Sequence, residues 1–138
     1  MYRHPSWQDA NGVYNRYSNG NHREVPDVSA SAYALAVYFD GRWGAVGGTS
    51  AAAPIWSAGL ALVNQGLMKQ IGKYTASPQL FYVVSQNANG MHPYYDVTQG
   101  NNLYYPATPG WDYTTGLGTP NLRDFYIALC NDLMISKI

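Results

Sequence analysis

The run Gly47-Gly48-Thr49-Ser50-Ala51-Ala52-Ala53-Pro54 constrains this chain more than any other stretch, because it turns the backbone directly onto the start of a helix. Glycine lacks a Cβ, so Gly47-Gly48 can turn tightly and lie close to a bound substrate. Thr49 and Ser50 offer capping hydroxyls, and the alanines that follow are strong helix formers. From Ala51 to about Gln70, the residues Ile55, Trp56, Leu60, Leu62, Val63, Leu67 and Met68 recur near helical spacing, and Gly72 is a natural stop. Pro54 is expected in the first turn, where its missing N–H costs little. Ala58 and Gly59 predict close packing against a neighbour, and the helix is expected to be central and mostly buried. A serine at position 50 has its hydroxyl among the free N–H groups of a helix N-terminus, which favours negative charge. That suits a nucleophile whose attack creates an oxyanion. A capped, closely packed helix start has the same local sequence.

The flanking residues predict an α/β arrangement. Tyr33 to Phe39 reads as a strand, Asp40-Gly41 as a type I′ turn and Trp43 to Val46 as the return strand, so a β-hairpin delivers the chain to Ser50. A second helix is predicted from Ser77-Pro78 to about Gln86, ended by Asn87 to Gly90. A third follows Thr119-Pro120-Asn121 and runs from about Leu122 to Leu133. Residues 1–24 carry turn signals at Asn11-Gly12 and Asn19-Gly20 and predict little regular structure. Asp27, beside Pro26, is read as holding a loop through hydrogen bonds.

Eight basic and eight acidic residues among 138 give a formal net charge of zero. That removes the electrostatic case for a nucleic acid or an anionic membrane as partner. No apolar run is long enough to span a bilayer, and no signal-peptide core follows Met1-Tyr2-Arg3-His4-Pro5. The single cysteine, Cys130, excludes an intrachain disulfide and reads as a small buried hydrophobe.

A long irregular loop runs from Asp96-Val97-Thr98-Gln99-Gly100 to Pro109-Gly110-Trp111-Asp112. Two aspartates at the ends of such a loop can converge on one cation, and Ca²⁺ suits because it accepts backbone carbonyls as well as carboxylates. Turn-capping aspartates would give the same pattern.

Longer strings narrow these alternatives. Gly48-Thr49-Ser50-Ala51-Ala52-Ala53-Pro54 resembles the nucleophile motif of the sedolisins, the serine-carboxyl peptidases of the subtilisin-like clan. Tyr95-Asp96-Val97-Thr98-Gln99-Gly100-Asn101 and Pro109-Gly110-Trp111-Asp112-Tyr113-Thr114-Thr115-Gly116-Leu117-Gly118-Thr119-Pro120-Asn121 resemble the calcium loop of that family. Pro5-Ser6-Trp7-Gln8 and Arg23-Glu24-Val25-Pro26-Asp27-Val28-Ser29-Ala30 resemble the segments that precede its nucleophile. The resemblance implies a partial subtilisin-like α/β fold: one incomplete domain over residues 1–138, with a hairpin, a central helix after the nucleophile and a C-terminal calcium-loop region. It implies Ser50 as nucleophile and one structural Ca²⁺ held by Asp96, Asp112 and the carbonyls of Val97, Thr108 and Gly110. Where family members usually have glycine this chain has Thr108, whose carbonyl can serve only if the backbone there does not need a positive φ.

In sedolisins a glutamate oriented by an aspartate activates the serine, and a second aspartate helps bind the oxyanion. These three residues find no counterpart here. Glu24, the only glutamate, sits in a different motif, and His4, His22 and His92 fit no triad signature. The expectation is therefore the C-terminal part of an acid-acting endopeptidase or tripeptidyl peptidase, which forms an acyl-enzyme on peptide substrates. The chain alone should be inactive, its missing carboxylates lying in an absent N-terminal part of the catalytic domain. A calcium-stabilised binding or assembly module derived from a peptidase is the alternative. Exposed strand edges are expected to favour self-association. The family implies an extracellular or acidic compartment.

Overall fold

The computed structural model describes residues 2–18, 20–72 and 77–135, so Asn19 of the expected Asn19-Gly20 turn lies outside the described residues. Helices and strands are mixed along the chain: β1 (Leu35–Phe39), β2 (Arg42–Val46), α1 (Thr49–Ile71), α2 (Gln79–Gln86), β3 (Tyr94–Tyr95), β4 (Thr119–Pro120) and α3 (Leu122–Ile135). The strands form two separate antiparallel pairs, β1 with β2 and β3 with β4. The α/β pattern therefore shows in the element order alone, and no parallel sheet forms among the described residues. No described helix is long and apolar enough to cross a membrane.

The hairpin forms where the sequence predicts it. Asp40 (φ 50°) and Gly41 (φ 75°) supply the two left-handed residues that a type I′ turn needs, and Phe39 pairs with Arg42 across it. Helix α1 spans 23 residues and stops at Gly72, whose left-handed backbone lets its N–H bond the Met68 carbonyl. Its start differs from expectation. Gly48 is the capping residue, no side chain caps the helix, and Pro54 is the sixth helical residue rather than part of the first turn. Ser77 Oγ accepts from the Gln79 N–H at 3.3 Å and so helps to start α2.

Burial corrects a second expectation. Along α1 only Trp56, Gly59, Val63 and Leu67 are buried, one stripe at spacings of three and four. Leu62 (66% exposed) and Met68 (50%) lie in solvent, as does Ala58, so the helix is one-faced rather than mostly buried. Its buried stripe packs on α2 and α3, where Leu80, Val84, Phe125, Ala128, Leu129 and Cys130 complete the main core. Gly59 is the close-packing position: a Cβ there would stand 2.7 Å from a Leu122 methyl carbon. Trp56 is ringed by Phe81, Tyr94 and Phe125, and its indole N–H donates to the Ser29 carbonyl at 2.7 Å.

A second, smaller core joins Val13, Tyr82, Trp111 and Leu117. A buried polar network adjoins it. The Gln8 amide donates to the Glu24 carbonyl and to Tyr82 Oη, both at 2.7 Å, and accepts from the Glu24 N–H at 2.9 Å. Tyr82 Oη donates in turn to Asp27 at 2.7 Å, and the Arg23 guanidinium pairs with both Asp27 oxygens. Asp27 therefore has the loop-holding role read from the sequence. Tyr82→Phe should cost about 1–3 kcal/mol, because it leaves the buried Gln8 amide short of an acceptor and takes a donor from the half-buried Asp27; urea unfolding of the variant against the parent chain measures this directly.

Candidate functional site

Ser50 lies exposed in the first turn of α1. The turn is set by Gly48, at φ 109° and ψ 160°, a region that residues with a side chain rarely adopt. The N–H groups of Ala51 and Ala52 both return to the Gly48 carbonyl, at 2.9 and 3.4 Å, so those of Thr49 and Ser50 precede the helical ladder. Pro54, having no N–H, also leaves the Ser50 carbonyl without its i+4 donor. The serine thus stands where backbone donors are free and the helix dipole favours an anion.

Two grooves flank this turn. One, of about 580 Å³, is walled by the hairpin residues Leu35, Val37 and Val46 and by Pro54 and Ile55, with Ser50 on its lining. No acidic or imidazole side chain lines it among the described residues. The other, of about 730 Å³, runs from Val28, Ser29 and Ala30 past Thr49 and Trp56 to Thr114 and Thr115. The Ser29 hydroxyl is buried there without a partner among the described residues.

The five residues expected at the calcium loop fall into one neighbourhood. Asp96 accepts from the Gly110 N–H and Asp112 from the Thr108 N–H, each at 2.8 Å, so the two carboxylates grip the two ends of one three-residue segment. Asp112 is 3% exposed and its Oδ1 also accepts from the N–H groups of Thr114 and Thr115. Neither aspartate is ion-paired with a basic side chain among the described residues. Thr108 is not among the described residues with positive φ, so its backbone meets the condition set for a carbonyl ligand. No three His, Cys, Asp or Glu side chains gather among the described residues. The two carboxylates carry the hard oxygens that Ca²⁺ favours, and as they stand those oxygens accept from backbone N–H groups, the pattern of turn-capping aspartates. Val97 is half-buried next to Asp96.

Comparison with known proteins follows from this geometry. No protein-family model matches the chain. The chain is 37% identical over 127 residues to kumamolisin from Bacillus sp. (strain MN-32), covering 84% of this chain and 22% of that protein. It is 36% identical over 137 residues to tripeptidyl-peptidase sed1 of Aspergillus fumigatus, covering 90% of this chain and 19% of the relative. In structure it resembles Pseudomonas sedolisin, a serine-carboxyl proteinase solved with two molecules of pseudo-iodotyrostatin, with a TM-score of 0.74 and 28% identity over 94% of this chain and 34% of that one. The chain belongs to the sedolisin family. It corresponds to the C-terminal part of a sedolisin and spans about a fifth of the length of these curated relatives.

Within this sedolisin segment one group escaped the sequence reading. Glu24 is buried, and its carboxylate accepts from Ser18 Oγ at 2.8 Å and from Tyr113 Oη at 2.5 Å. The quoted motif marked the residue without giving it a role; its partner lies 89 positions away. Burial, and then the hydrogen bond to Glu24, push the Tyr113 phenol up to about 12. Burial and the Asp27 hydrogen bond raise Tyr82 further, and burial raises Tyr94. A phenol whose pKa is higher in the folded state keeps its proton longer there, so its contribution is complete below pH 10, the ordinary phenol value, and is lost as pH climbs past it. Stability should therefore fall between pH 10 and about 12, and Tyr113→Phe should flatten that decline in denaturant titrations across the same range.

Proposed function

We propose that this chain is the C-terminal portion of an acid-acting serine-type endopeptidase or tripeptidyl peptidase, with Ser50 as its nucleophile. The observation that carries this reading is an exposed serine in the first turn of a 23-residue helix, on the lining of an open groove, in a chain of the sedolisin family. In the proposed reaction Ser50 Oγ attacks a peptide carbonyl and gives up its proton to a general base, and the amine leaves to give an acyl-enzyme. The free N–H of Ser50 is suited to receive the developing oxyanion.

The base has to come from elsewhere, since no acidic or imidazole side chain lines the serine's groove among the described residues. A carboxylate base, as the family uses, would set an acid working range, because a glutamate ionises near pH ~4.3 whereas a histidine would be protonated there. We therefore take the partners to be a peptide substrate and the N-terminal part of a sedolisin catalytic domain. The exposed side of α1 and the outer edges of the hairpin are surfaces that such a part could cover.

Asp96 and Asp112, with the carbonyls of Val97, Thr108 and Gly110, would hold one Ca²⁺. The bound ion would neutralise the two carboxylates and cross-link both ends of the loop. Ligand linkage gives about 2.7 kcal/mol of extra stability at ~100-fold excess over Kd. Melting with Ca²⁺ against a chelator should show that gain, and Asp96→Asn, at an exposed position, should remove it without unfolding the chain.

The reading of Ser50 is tested by peptide cleavage at about pH 4, near the carboxylate range. The isolated chain and Ser50→Ala should both be silent. Adding the N-terminal part of a sedolisin catalytic domain should restore cleavage to the parent chain alone. Cleavage by the isolated chain that disappears in Ser50→Ala would mean that its own carboxylates complete the site. The absence of a base around Ser50 also favours a second reading, a calcium-stabilised binding or assembly module derived from a peptidase. On that reading Ca²⁺ stabilises the chain, and Ser50→Ala has no consequence even after complementation.

A further inference from the structure

Pro54 interrupts the hydrogen-bond ladder of α1 four residues after Ser50, and one outside segment is bonded to the helix on both sides of that interruption. We propose that Trp56 is a positioning residue for Ser50: its indole N–H, together with the Gly48 N–H, fastens α1 to residues 29–32 across the break and so fixes the turn that carries the serine. This rests on the reading of Ser50 as the reactive residue. In a regular helix residue 54 would return an N–H to the Ser50 carbonyl. Proline has none, and a proline ring inside a helix crowds the carbonyl four residues back. The first turn is therefore held to the rest of α1 by one bond fewer than a regular ladder gives.

Two contacts from outside the helix flank the break. On the serine's side the Gly48 N–H donates to the Ala32 carbonyl at 2.7 Å. Beyond it the Trp56 indole N–H donates to the Ser29 carbonyl, also at 2.7 Å. From Gly48 to Trp56 the helix rises about 12 Å, and from Ala32 back to Ser29 an extended chain spans about 10 Å. The two elements thus run antiparallel and keep step between the anchor points. The larger groove lies between them, lined there by Ser29, Ala30, Ala32, Ala52 and Ala53. With side chains this small, the two hydrogen bonds set how the segment and the helix start stand to each other. Both anchors are themselves fixed. The Ser29 N–H donates to the Gly118 carbonyl at 3.0 Å, which roots the segment on the loop before β4. The indole is 6% exposed and stands edge-on to Phe81 and Phe125, which aims its N–H. Gly47 is bare where the segment comes closest: a Cβ there would lie 3.0 Å from the Ala32 carbonyl oxygen.

The experiment is amide hydrogen exchange, read residue by residue on the isotopically labelled 138-residue chain, for the parent, Trp56→Phe, Pro54→Ala and the double variant. Trp56→Phe keeps a ring in the aromatic cluster and removes the N–H. The amides of Ala51, Ala52 and Ala53 should then exchange about tenfold faster, the scale of one hydrogen bond. An indole that only stabilised the core would speed Val84 and Leu129, which open with the whole chain, and leave the helix start, which frays by itself, at the parent's rates. That result would overturn the proposal. Pro54→Ala returns a donor to the Ser50 carbonyl, so the double variant should recover the helix-start rates. Alone, it should change them little, because the brace already holds the turn. Equal effects of Pro54→Ala with and without the indole would show the two to act independently, and would equally overturn the proposal. The readout needs no bond cleavage. A helix start loosened by Trp56→Phe and restored by Pro54→Ala, together with a failed Ser50 cleavage test, would sink the nucleophile and leave the brace standing.

Discussion

The carboxylate of Asp27 accepts from the Tyr82 hydroxyl and from the Arg23 guanidinium, and that hydroxyl accepts in turn from the buried amide of Gln8. Three stretches distant in sequence are thereby fixed to one another: the N-terminal segment, the Pro26-Asp27 loop and α2. The backbone of the same loop holds a fourth, because the Trp111 indole N–H donates to the Pro26 carbonyl and the Leu117 N–H to the Asp27 carbonyl, both at 2.8 Å. Groups held this far from water are costly to leave unpaired, so the network is all-or-none in character. Gly116 belongs to it through space rather than bonding: a Cβ there would lie 2.4 Å from the Asp27 carbonyl oxygen. Helix α2 and the loop from Trp111 to Leu117 can therefore pack only where this loop lets them.

From that fixed point the chain runs through Ser29, which accepts from the Trp56 indole, and Ala32, whose carbonyl accepts from the Gly48 N–H at 2.7 Å. The start of α1 is thus tied at both ends of its first two turns to one extended segment. Position and orientation of Ser50 follow from these two contacts, one from an indole and one from the backbone, rather than from a side-chain cap. Thr49 and Ser50 can then leave their hydroxyls uncommitted to capping. A cap bond would occupy a hydroxyl that a nucleophile needs free.

Local elements were legible in the sequence where local chemistry decides them. Asp40-Gly41 is one of the few dipeptides suited to two successive left-handed residues, and the hairpin followed. The apolar spacing of α1 and its stop at Gly72 also followed. Its exposure did not, because periodicity says which face can be buried and not whether a second layer covers the other side. The capping role expected of Thr49 and Ser50 went to Gly48, whose positive φ already makes the turn. Gln8, Glu24, Tyr82 and Tyr113 were the least legible, since Gln8 and Tyr82 meet across 74 positions and Glu24 and Tyr113 across 89. At the loop, Asp96 and Asp112 were legible as residues gathered on one segment, by their types and by family resemblance.

The loop and the first turn of α1 also share the larger groove. Asp112 fixes the N–H groups of Thr114 and Thr115 at 2.8 Å, and these threonines line the groove whose other wall includes Thr49, next to Ser50. A carboxylate buried without a basic partner is a strained place to hang one wall of a groove, because its charge is offset only by N–H and O–H dipoles. Asp112 thus sets the backbone of one wall of a groove whose far side is the start of α1.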